Sequence, residues 1–141
     1  MRRKTEEELK HLIYYSCPIG FDANSLASIL NISRNNNKKN NITGALIYRS
    51  DIYLQYLEGP IASVDETFQK IKNDERHKEL FALKESVTKR RLFAAWAMRE
   101  DPIKTWMWTR SDVKKGLVAQ LTPEQALSVF EKLSIEIDQL K

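Results

Sequence analysis

The sequence predicts an α+β domain with one sheet and two amphipathic helices, and three observations support this class. Short runs of apolar and aromatic residues, bounded by turn residues, predict strands. Two segments with apolar residues at helical spacing predict helices that bury one face. The segments follow the order β-α-β-β-α-β-β, and the first six match the split βαβ arrangement of the ferredoxin-like fold. The 141 residues suit one such domain with a short extension.

The first strand is predicted from Leu9 to Ser16, a run rich in Leu, Ile and Tyr that stops before Pro18. A helix follows, with Asp22 or Asn24 as a possible N-cap. Its apolar stripe comprises Leu26, Ile29, Leu30 and Ser33. Lys38 and Lys39 suit the negative end of its dipole, and Asn40 or Asn41 suits a left-handed exit.

The middle of the chain predicts a hairpin, from Thr43 to Tyr48 and from Ile52 to Leu57, joined by a turn at Arg49-Ser50-Asp51. A second amphipathic helix follows and ends near Asp74. Its stripe comprises Val64, Phe68 and Ile71. The runs from Leu80 to Val87 and from Leu92 to Arg99 predict two more strands. Both helices are expected on one face of the sheet.

The C-terminal region predicts another helix, which begins at Thr122-Pro123-Glu124-Gln125 with a capping Thr and Pro in the first turn. Its stripe comprises Ala126, Val129, Phe130, Leu133, Ile137 and Leu140. This stripe must be buried on the domain, on a partner or on a second copy. We therefore expect a charged segment at 1–8, a domain at 9–101 and a helical extension at 102–141.

Composition argues against several classes of partner. The net charge is +4, but the basic residues are dispersed among 19 acidic ones, and the densest basic run, Lys89-Arg90-Arg91, suits a solvated loop. We expect no nucleic-acid partner. The chain has no run of about 18 apolar residues and no apolar leader, so no membrane association is expected either. A single cysteine, Cys17, forms no internal disulfide, which fits a cytoplasmic protein.

Enzyme signatures are missing from the sequence. The four glycines lie far apart and form no phosphate-binding loop. Cys17 with His11 or His77 lacks a third residue that would orient a nucleophile–base pair, and no metal-ligand spacing occurs. Acids favour helix starts, and we interpret three in this way: Glu58, Asp65 and Glu66. We therefore expect no catalytic site and no metal.

Several polar residues occupy positions that belong to a core or to a helix–sheet cleft. Tyr14 lies in the first strand, and Gln55 lies in the middle of the third. A buried Gln must satisfy both arms of its amide or cost a few kcal/mol. Strand alternation places Gln55 equally well on a solvent face, so both placements stay open. Asn36 and Asn37 end the first helix, where they either cap it or bind a ligand.

Residues from Leu9 to about Asp101, about two-thirds of the chain, resemble BLUF domains, the sensors of blue light using FAD. Five motifs occur in family order: Leu12-Ile13-Tyr14-Tyr15-Ser16; Arg34-Asn35-Asn36-Asn37 with Asn41-Ile42-Thr43-Gly44; Tyr53-Leu54-Gln55-Tyr56-Leu57-Glu58-Gly59; Asp74-Glu75-Arg76-His77; and Phe93-Ala94-Ala95-Trp96-Ala97-Met98. Each motif alone is weakly specific, whereas the five together are strongly so.

The resemblance implies a flavin between the two helices, normally FAD, with FMN or riboflavin as alternatives. Its implied contacts are Ile29, Asn36, Asn37, Gln55, Lys70, Ile71 and Asp74. Ile29 and Ile71 would line the ring, and Asn37 would bond its pyrimidine edge, since one amide can both donate and accept. Family members usually carry Arg where this chain has Lys70, and Lys lacks the planar fork of Arg.

The resemblance also implies that Tyr14 and Gln55 are the photoactive pair. In the family, Tyr14 would give the light-excited flavin an electron and then a proton, which passes through the Gln55 amide. Gln55 would then rearrange, by rotation or by tautomerisation, and a new hydrogen bond to the flavin would shift absorption to the red. Ser16 would steady this network, and Trp96 or Met98 would carry the output.

The leading hypothesis is therefore a photoreceptor that signals through a downstream protein partner or through rearrangement of a homo-oligomer. An acylphosphatase-like enzyme on the same fold would need an Arg in the loop after the first strand, and Ser16 to Phe21 contains none. An RNA-binding module would need exposed aromatic residues on the central strands. Tyr53 and Tyr56 are expected on opposite faces, which disfavours this alternative.

Overall fold

The computed structural model describes residues 8–19, 23–74, 77–93, 99–102 and 107–139. Its elements are β1 (Leu9–Pro18), α1 (Ala23–Lys39), β2 (Thr43–Arg49), β3 (Ile52–Pro60), α2 (Ile61–Lys72), β4 (His77–Thr88), β5 (Arg99–Pro102), α3 (Arg110–Lys114) and α4 (Pro123–Gln139). The strands form one five-stranded sheet in the order β4-β1-β3-β2-β5. The predicted α+β class is confirmed, with a single sheet and a C-terminal helix.

Strand pairing fixes which residues of the sheet are neighbours. β1 pairs antiparallel with β3 and β4, β2 pairs antiparallel with β3, and β5 lies parallel to β2. This register places Tyr14 opposite Gln55 on one side and Leu46 opposite Gln55 on the other. Gly44 faces Leu57, and a Cβ added to Gly44 would lie 1.9 Å from the Tyr56 carbonyl oxygen. Only glycine therefore fits at this point of the ladder.

Each face of the sheet carries its own hydrophobic core. On one face, sheet residues such as Leu12 and Leu57 pack with Leu30 of α1 and with Val64 and Phe68 of α2. Both helices therefore cover the same face, as predicted. The other face packs against the C-terminal helices, through a cluster that includes Ile13, Ile47, Leu54, Tyr56, Val113, Ala126, Phe130 and Leu133. The last helix was expected to bury its stripe on the domain, on a partner or on a second copy, and the structure shows it packed on the domain.

The capping signals of the sequence are confirmed at two helix ends, and one helix was not predicted. Asn41, two residues after α1, adopts the left-handed conformation, with φ of 59°. At the other end of α1, which begins at Ala23, the suggested N-cap Asn24 lies inside the helix, and Asp22 lies outside the described residues. Thr122 and Gln125 exchange backbone-to-side-chain hydrogen bonds and form the expected capping box of α4. The short α3 was not predicted, although Thr109 and Asp112 form a second capping box there. No described helix is long and apolar enough to cross a membrane.

The prediction of a strand from Leu92 to Arg99 is wrong at its start. Leu92 and Phe93 are not in a strand, and their backbone N–H groups donate to Glu58, at 2.7 and 2.6 Å. β5 begins at Arg99, and residues 94–98 lie outside the described part of the chain. Because a side chain takes the two N–H groups, they are not available to a neighbouring strand.

The interpretation of Glu58 as an acid at a helix start is also wrong. Glu58 lies in β3, two residues before its end, and its side chain is completely buried. Tyr56 donates its hydroxyl to Glu58 Oε1 at 3.2 Å, and Thr43 donates to Oε2 at 3.4 Å. Arg91 extends the junction by donating to the Glu58 carbonyl oxygen at 3.2 Å. Glu58 therefore ties the segment after β4 to the centre of the sheet.

A Leu133→Ala variant is expected to lower the free energy of unfolding by about 2–3 kcal/mol, because Leu133 is fully buried between α4 and the sheet. The loss lies in the lower part of the usual range because a helix packed on one side can partly close the space. Urea denaturation would measure it. The matched control is Ile135→Ala on the exposed side of α4, for which a change within about 0.5 kcal/mol is expected. Equal effects would contradict the packing of α4 on the sheet.

Candidate functional site

A cleft lies above the α1/α2 face of the sheet, and the strands form its floor. Five sheet residues line it: Tyr14, Leu46, Tyr53, Gln55 and Leu57. The last three alternate along β3, and residues two apart on a strand share a face. Gln55 is only 5% exposed, so the structure favours the buried placement over the solvent face.

The end of α1 forms one wall of the cleft. Ser33, Asn36, Asn37 and Asn40 line it, one helical turn after another. Asn37 is buried and Asn36 is exposed. The Asn37 carbonyl oxygen also accepts the Ile42 N–H at 2.8 Å, which fixes the exit from α1 beside the cleft. Ile29 lies within α1, but its side chain is outside the described part of the structure.

The second wall is the last turn of α2 and the residues after it. Thr67, Lys70, Ile71 and Asp74 line the cleft at spacings of three and four, which place them on one helix face. The Lys70 side chain is 67% exposed, and its ammonium lies 3.7 Å from Glu66 Oε1. An exposed ion pair of this kind contributes little to stability, so the ammonium can exchange Glu66 for a ligand.

Tyr14 and Gln55 form a buried pair on the floor of the cleft. The Tyr14 hydroxyl donates a hydrogen bond to Gln55 Oε1, and Tyr14 is 4% exposed. Burial, together with the nearby Tyr53 and Asp74, raises the pKa of Tyr14 far above that of a free phenol. The phenol is therefore protonated at any physiological pH. The hydroxyl proton of Tyr14 therefore points at the Gln55 amide oxygen, which is the acceptor nearest to hand for its transfer.

The aromatic surroundings hold Tyr14 from two sides. The Phe68 ring centroid of α2 lies 5.8 Å away, and the His77 ring of β4 lies 6.2 Å away at an interplanar angle of 73°. Ser16, which was expected to steady the Tyr14–Gln55 pair, is fully buried and bonds to His77 rather than to either residue of the pair. Trp96 and Met98, the expected output residues, lie outside the described part of the chain.

Sequence reasoning did not include several residues of the cleft. Tyr53 and Leu57 lie two positions on either side of Gln55, so strand periodicity carries the signal for both. Thr67 lies three residues before Lys70, which is the corresponding helical signal. Leu46 is identified only by the pairing of β2 with β3. In the described residues, no group of three His, Cys, Asp or Glu side chains could hold a metal ion.

The structure is therefore an α+β domain whose single sheet carries helices on both faces, with a cleft on one face and a buried Tyr–Gln pair on the floor of that cleft. A comparison with family models identifies the class more narrowly. The chain belongs to the BLUF family, described as sensors of blue-light using FAD, whose model matches residues 9–99. The resemblance inferred from the five sequence motifs is thereby confirmed.

Solved structures of similar proteins extend the likeness beyond the family model. BlrB, a BLUF protein in its dark state, matches with a TM-score of 0.77 and 28% identity, covering 93% of this chain and 98% of that chain. The photo-activated state of BlsA matches with a TM-score of 0.71 and 25% identity, covering 88% of this chain and 92% of that chain. The fold therefore includes most of the C-terminal extension.

Other relatives are much longer than this chain. The photoactivated adenylate cyclase subunit alpha of Euglena gracilis is 45% identical over 58 residues, which are 41% of this chain and 6% of that protein. A bacterial light-regulated adenylyl cyclase matches with a TM-score of 0.65 and 31% identity over 88% of this chain and 36% of that chain. This chain thus spans a small part of the curated relatives that it matches.

The residues around the cleft fit the flavin that the family implies. A flavin ring is flat and apolar on its faces and carries polar atoms along one edge. Leu46, Leu57 and Ile71 offer apolar surface, whereas Asn37 and Lys70 offer an amide and a cation at the cleft walls. An apolar cleft with a few convergent polar groups is the usual form of a cofactor site.

Proposed function

We propose that this protein is a blue-light photoreceptor that switches by rearranging the hydrogen bond between Tyr14 and Gln55. The observation that carries the proposal is this bond itself, buried on the floor of the cleft. It joins a protonated phenol to an amide, and an amide can reverse its donor and acceptor arms. Family membership supplies the light-sensing context for the pair.

In the proposed mechanism, a bound flavin supplies the absorption of blue light and an electron acceptor in its excited state. Tyr14 then loses an electron, and its hydroxyl proton moves to Gln55 Oε1, the atom that already accepts the hydrogen bond. The electron and proton return to Tyr14 while Gln55 takes its alternative form, either rotated or tautomerised. Gln55 then donates where it previously accepted, so the light and dark states have the same net charge and differ in the orientation of the Gln55 amide, or in the position of one of its protons, and in the hydrogen bonds that follow.

The same proposal assigns the binding residues. Asn37, buried at the end of α1, would bond the pyrimidine edge of the flavin, with Asn36 beside it. Lys70 and Asp74 would contact the polar edge from α2, and Ile29 and Ile71 would pack on the ring. Because these residues would contact the ring rather than the ribityl tail, FAD is proposed from the family description, with FMN or riboflavin able to occupy the same cleft.

We further propose that the protein has no enzymatic activity of its own and signals by contact with a downstream protein or with other copies of itself. The unit that would hold the flavin spans residues 9–101, and α4 is the proposed output element. Its stripe contacts the sheet face opposite the cleft. A change in the sheet would therefore reach α4 directly, and the exposed side of α4, which includes Ile135, would be offered to partners.

An RNA-binding function is not favoured by the same structure. Modules of this kind stack bases on exposed aromatic side chains of the central strands. Tyr53 and Tyr56 lie on opposite faces of β3 and are 5% and 1% exposed. The aromatic residues of β3 are therefore core residues, and they offer no stacking surface.

Purified protein is expected to be yellow and to shift its flavin band reversibly to the red under blue light. An Asn37→Ala variant removes the buried amide and is expected to weaken flavin binding about tenfold, the loss of roughly one hydrogen bond at a ligand edge. Titration of the apoprotein with FAD and with FMN would measure the affinity. The control is Asn35→Ala, an exposed neighbour that does not line the cleft. A colourless protein that takes up no added flavin would overturn the proposed function.

A further inference from the structure

We infer that Ser16 and His77 form a positioning pair that holds the Tyr14 ring in its photoactive orientation and so sets the quantum yield of the switch. The inference rests on the proposed photoreceptor function and adds to it a pair of residues outside the cleft. Neither Ser16 nor His77 lines the cleft. The contribution of Ser16 is therefore separable from flavin binding, whereas His77 also bonds to the backbone of Ile71, which lines the cleft.

Both nitrogens of His77 are engaged. Nε2 lies 2.7 Å from the Ile71 carbonyl oxygen at the end of α2, and a carbonyl oxygen only accepts, so Nε2 carries a hydrogen. Nδ1 lies 2.7 Å from Ser16 Oγ. The neutral imidazole accepts the Ser16 hydroxyl hydrogen, and the imidazolium donates to the Ser16 oxygen. In either state, the ring is fixed at two points and joins β1, β4 and α2.

This fixed ring contacts the ring of Tyr14. His77 meets Tyr14 edge to face, and Phe68 contacts Tyr14 as well. The orientation of the Tyr14 ring determines where its hydroxyl points, and this hydroxyl must reach Gln55 Oε1. Ser16 lies two residues after Tyr14 on the same face of β1. The Ser16–His77 bond therefore supports Tyr14 from the same strand that carries it.

The backbone beside His77 is shaped for this contact. In the pairing of β1 with β4, Tyr15 faces Phe81 and Cys17 faces Lys78, so two residues of β4 oppose Ser16 alone. This is a β-bulge, a device that redirects side chains. One of these two residues, Glu79, has φ of 53°, a left-handed conformation that is unfavourable for a residue other than glycine. The chain keeps a strained residue two positions from His77.

The test compares the photoconversion quantum yield of three variants with that of the wild type. Ser16→Ala removes the hydroxyl, and His77→Gln can place a donor near Nε2 but nothing at Nδ1. His77→Asn instead places a polar atom at the Nδ1 position. All three variants are expected to lower the yield about threefold or more, because Ser16→Ala releases the His77 ring at Nδ1 and neither Gln nor Asn supplies the ring that contacts Tyr14. FAD affinity is expected to stay within about twofold in Ser16→Ala, which leaves the bond between His77 and Ile71 in place.

The matched control is Ser86→Ala, which removes another serine hydroxyl bonded to a histidine of the same sheet, His11. Its yield is expected to equal that of the wild type. Light-minus-dark infrared spectra add a second readout, because the Tyr14 C–O stretch should move in Ser16→Ala and not in Ser86→Ala. Yields equal to the control in Ser16→Ala and His77→Gln would overturn the inference and leave the proposed function intact. A wild type without any light-induced shift would overturn both.

Discussion

A Gln55→Leu variant is expected to bind flavin and to lose the reversible red shift, keeping less than about a tenth of the wild-type amplitude. Leucine is similar in size and remains compatible with a buried position, but it offers no acceptor to the Tyr14 hydroxyl. Without the amide, the phenol has no route for its proton, and no group can reverse its hydrogen bonding. Difference spectra at matched flavin occupancy would measure the amplitude.

The control for this variant is Tyr53→Phe, which removes a hydroxyl from a neighbouring position on the same face of β3. It is expected to keep the red shift, because the Tyr14–Gln55 bond remains. Gln55→Leu also leaves the buried Tyr14 hydroxyl without its acceptor, which costs about 1–3 kcal/mol, so thermal melting should accompany the spectra. A full red shift in folded, flavin-loaded Gln55→Leu would exclude the proposed mechanism.

A Glu58→Ala variant is expected to lower the free energy of unfolding by about 2–6 kcal/mol. The carboxylate is completely buried and accepts from the backbone N–H groups of Leu92 and Phe93 and from the Tyr56 hydroxyl. Its removal leaves the Leu92 and Phe93 N–H groups without their acceptor, at a cost of about 1–3 kcal/mol each, whereas the Tyr56 hydroxyl keeps a second partner in His11 Nδ1 at 3.2 Å. Urea denaturation would measure the loss. Glu66→Ala, at a side chain that is 73% exposed, is the control and should change stability by less than about 0.5 kcal/mol.

The pH dependence of this loss has a definite sign. Burial raises the pKa of Glu58 above its ordinary value of 4.5, although the two backbone N–H groups act in the opposite direction. The folded state then binds this proton more tightly than the unfolded state, so stability contributed by Glu58 declines as pH rises from about 4.5 through the raised pKa. A Glu58→Gln variant has no titratable group at this position. The difference in free energy of unfolding between the wild type and this variant should therefore shrink as pH rises over that interval. A deficit that grows with pH would contradict the raised pKa.

The order of elements was predictable because short apolar strand segments alternate clearly along the chain with segments whose apolar residues recur at helical spacing. The face of Gln55 was not, because every residue of β3 from Ile52 to Gly59 is buried. Alternation of apolar and polar residues identifies the buried face of a strand only when the other face is exposed to solvent, and here α4 covers the second face of the sheet. The sequence also did not show that Leu92 and Phe93 lie outside a strand, since the partner of their N–H groups is a side chain 34 or 35 residues away.

The site was predictable in its individual residues and not in their connections. Asn37, Gln55 and Lys70 were identified by family motifs, and the structure brings them to one cleft. The contact between Ser16 and His77 joins residues 61 positions apart. It depends on a β-bulge that the local sequence does not predict, because the residue in the left-handed conformation is Glu79 and not a glycine or an asparagine. Local sequence patterns therefore do not predict the register in which distant strands, such as β1 and β4, pair with each other.

The burial of β3 on both faces also selects one pairing register for this strand. A slip of one residue in its pairing would turn Tyr53, Gln55 and Leu57 toward α4 and turn Tyr56 and Glu58 into the cleft. Such a molecule would bury the Glu58 carboxylate without its backbone donors and would disrupt the cores on both faces of the sheet. The slipped register would therefore be unstable. The register that fills both cores is therefore also the register that places Tyr14 opposite Gln55.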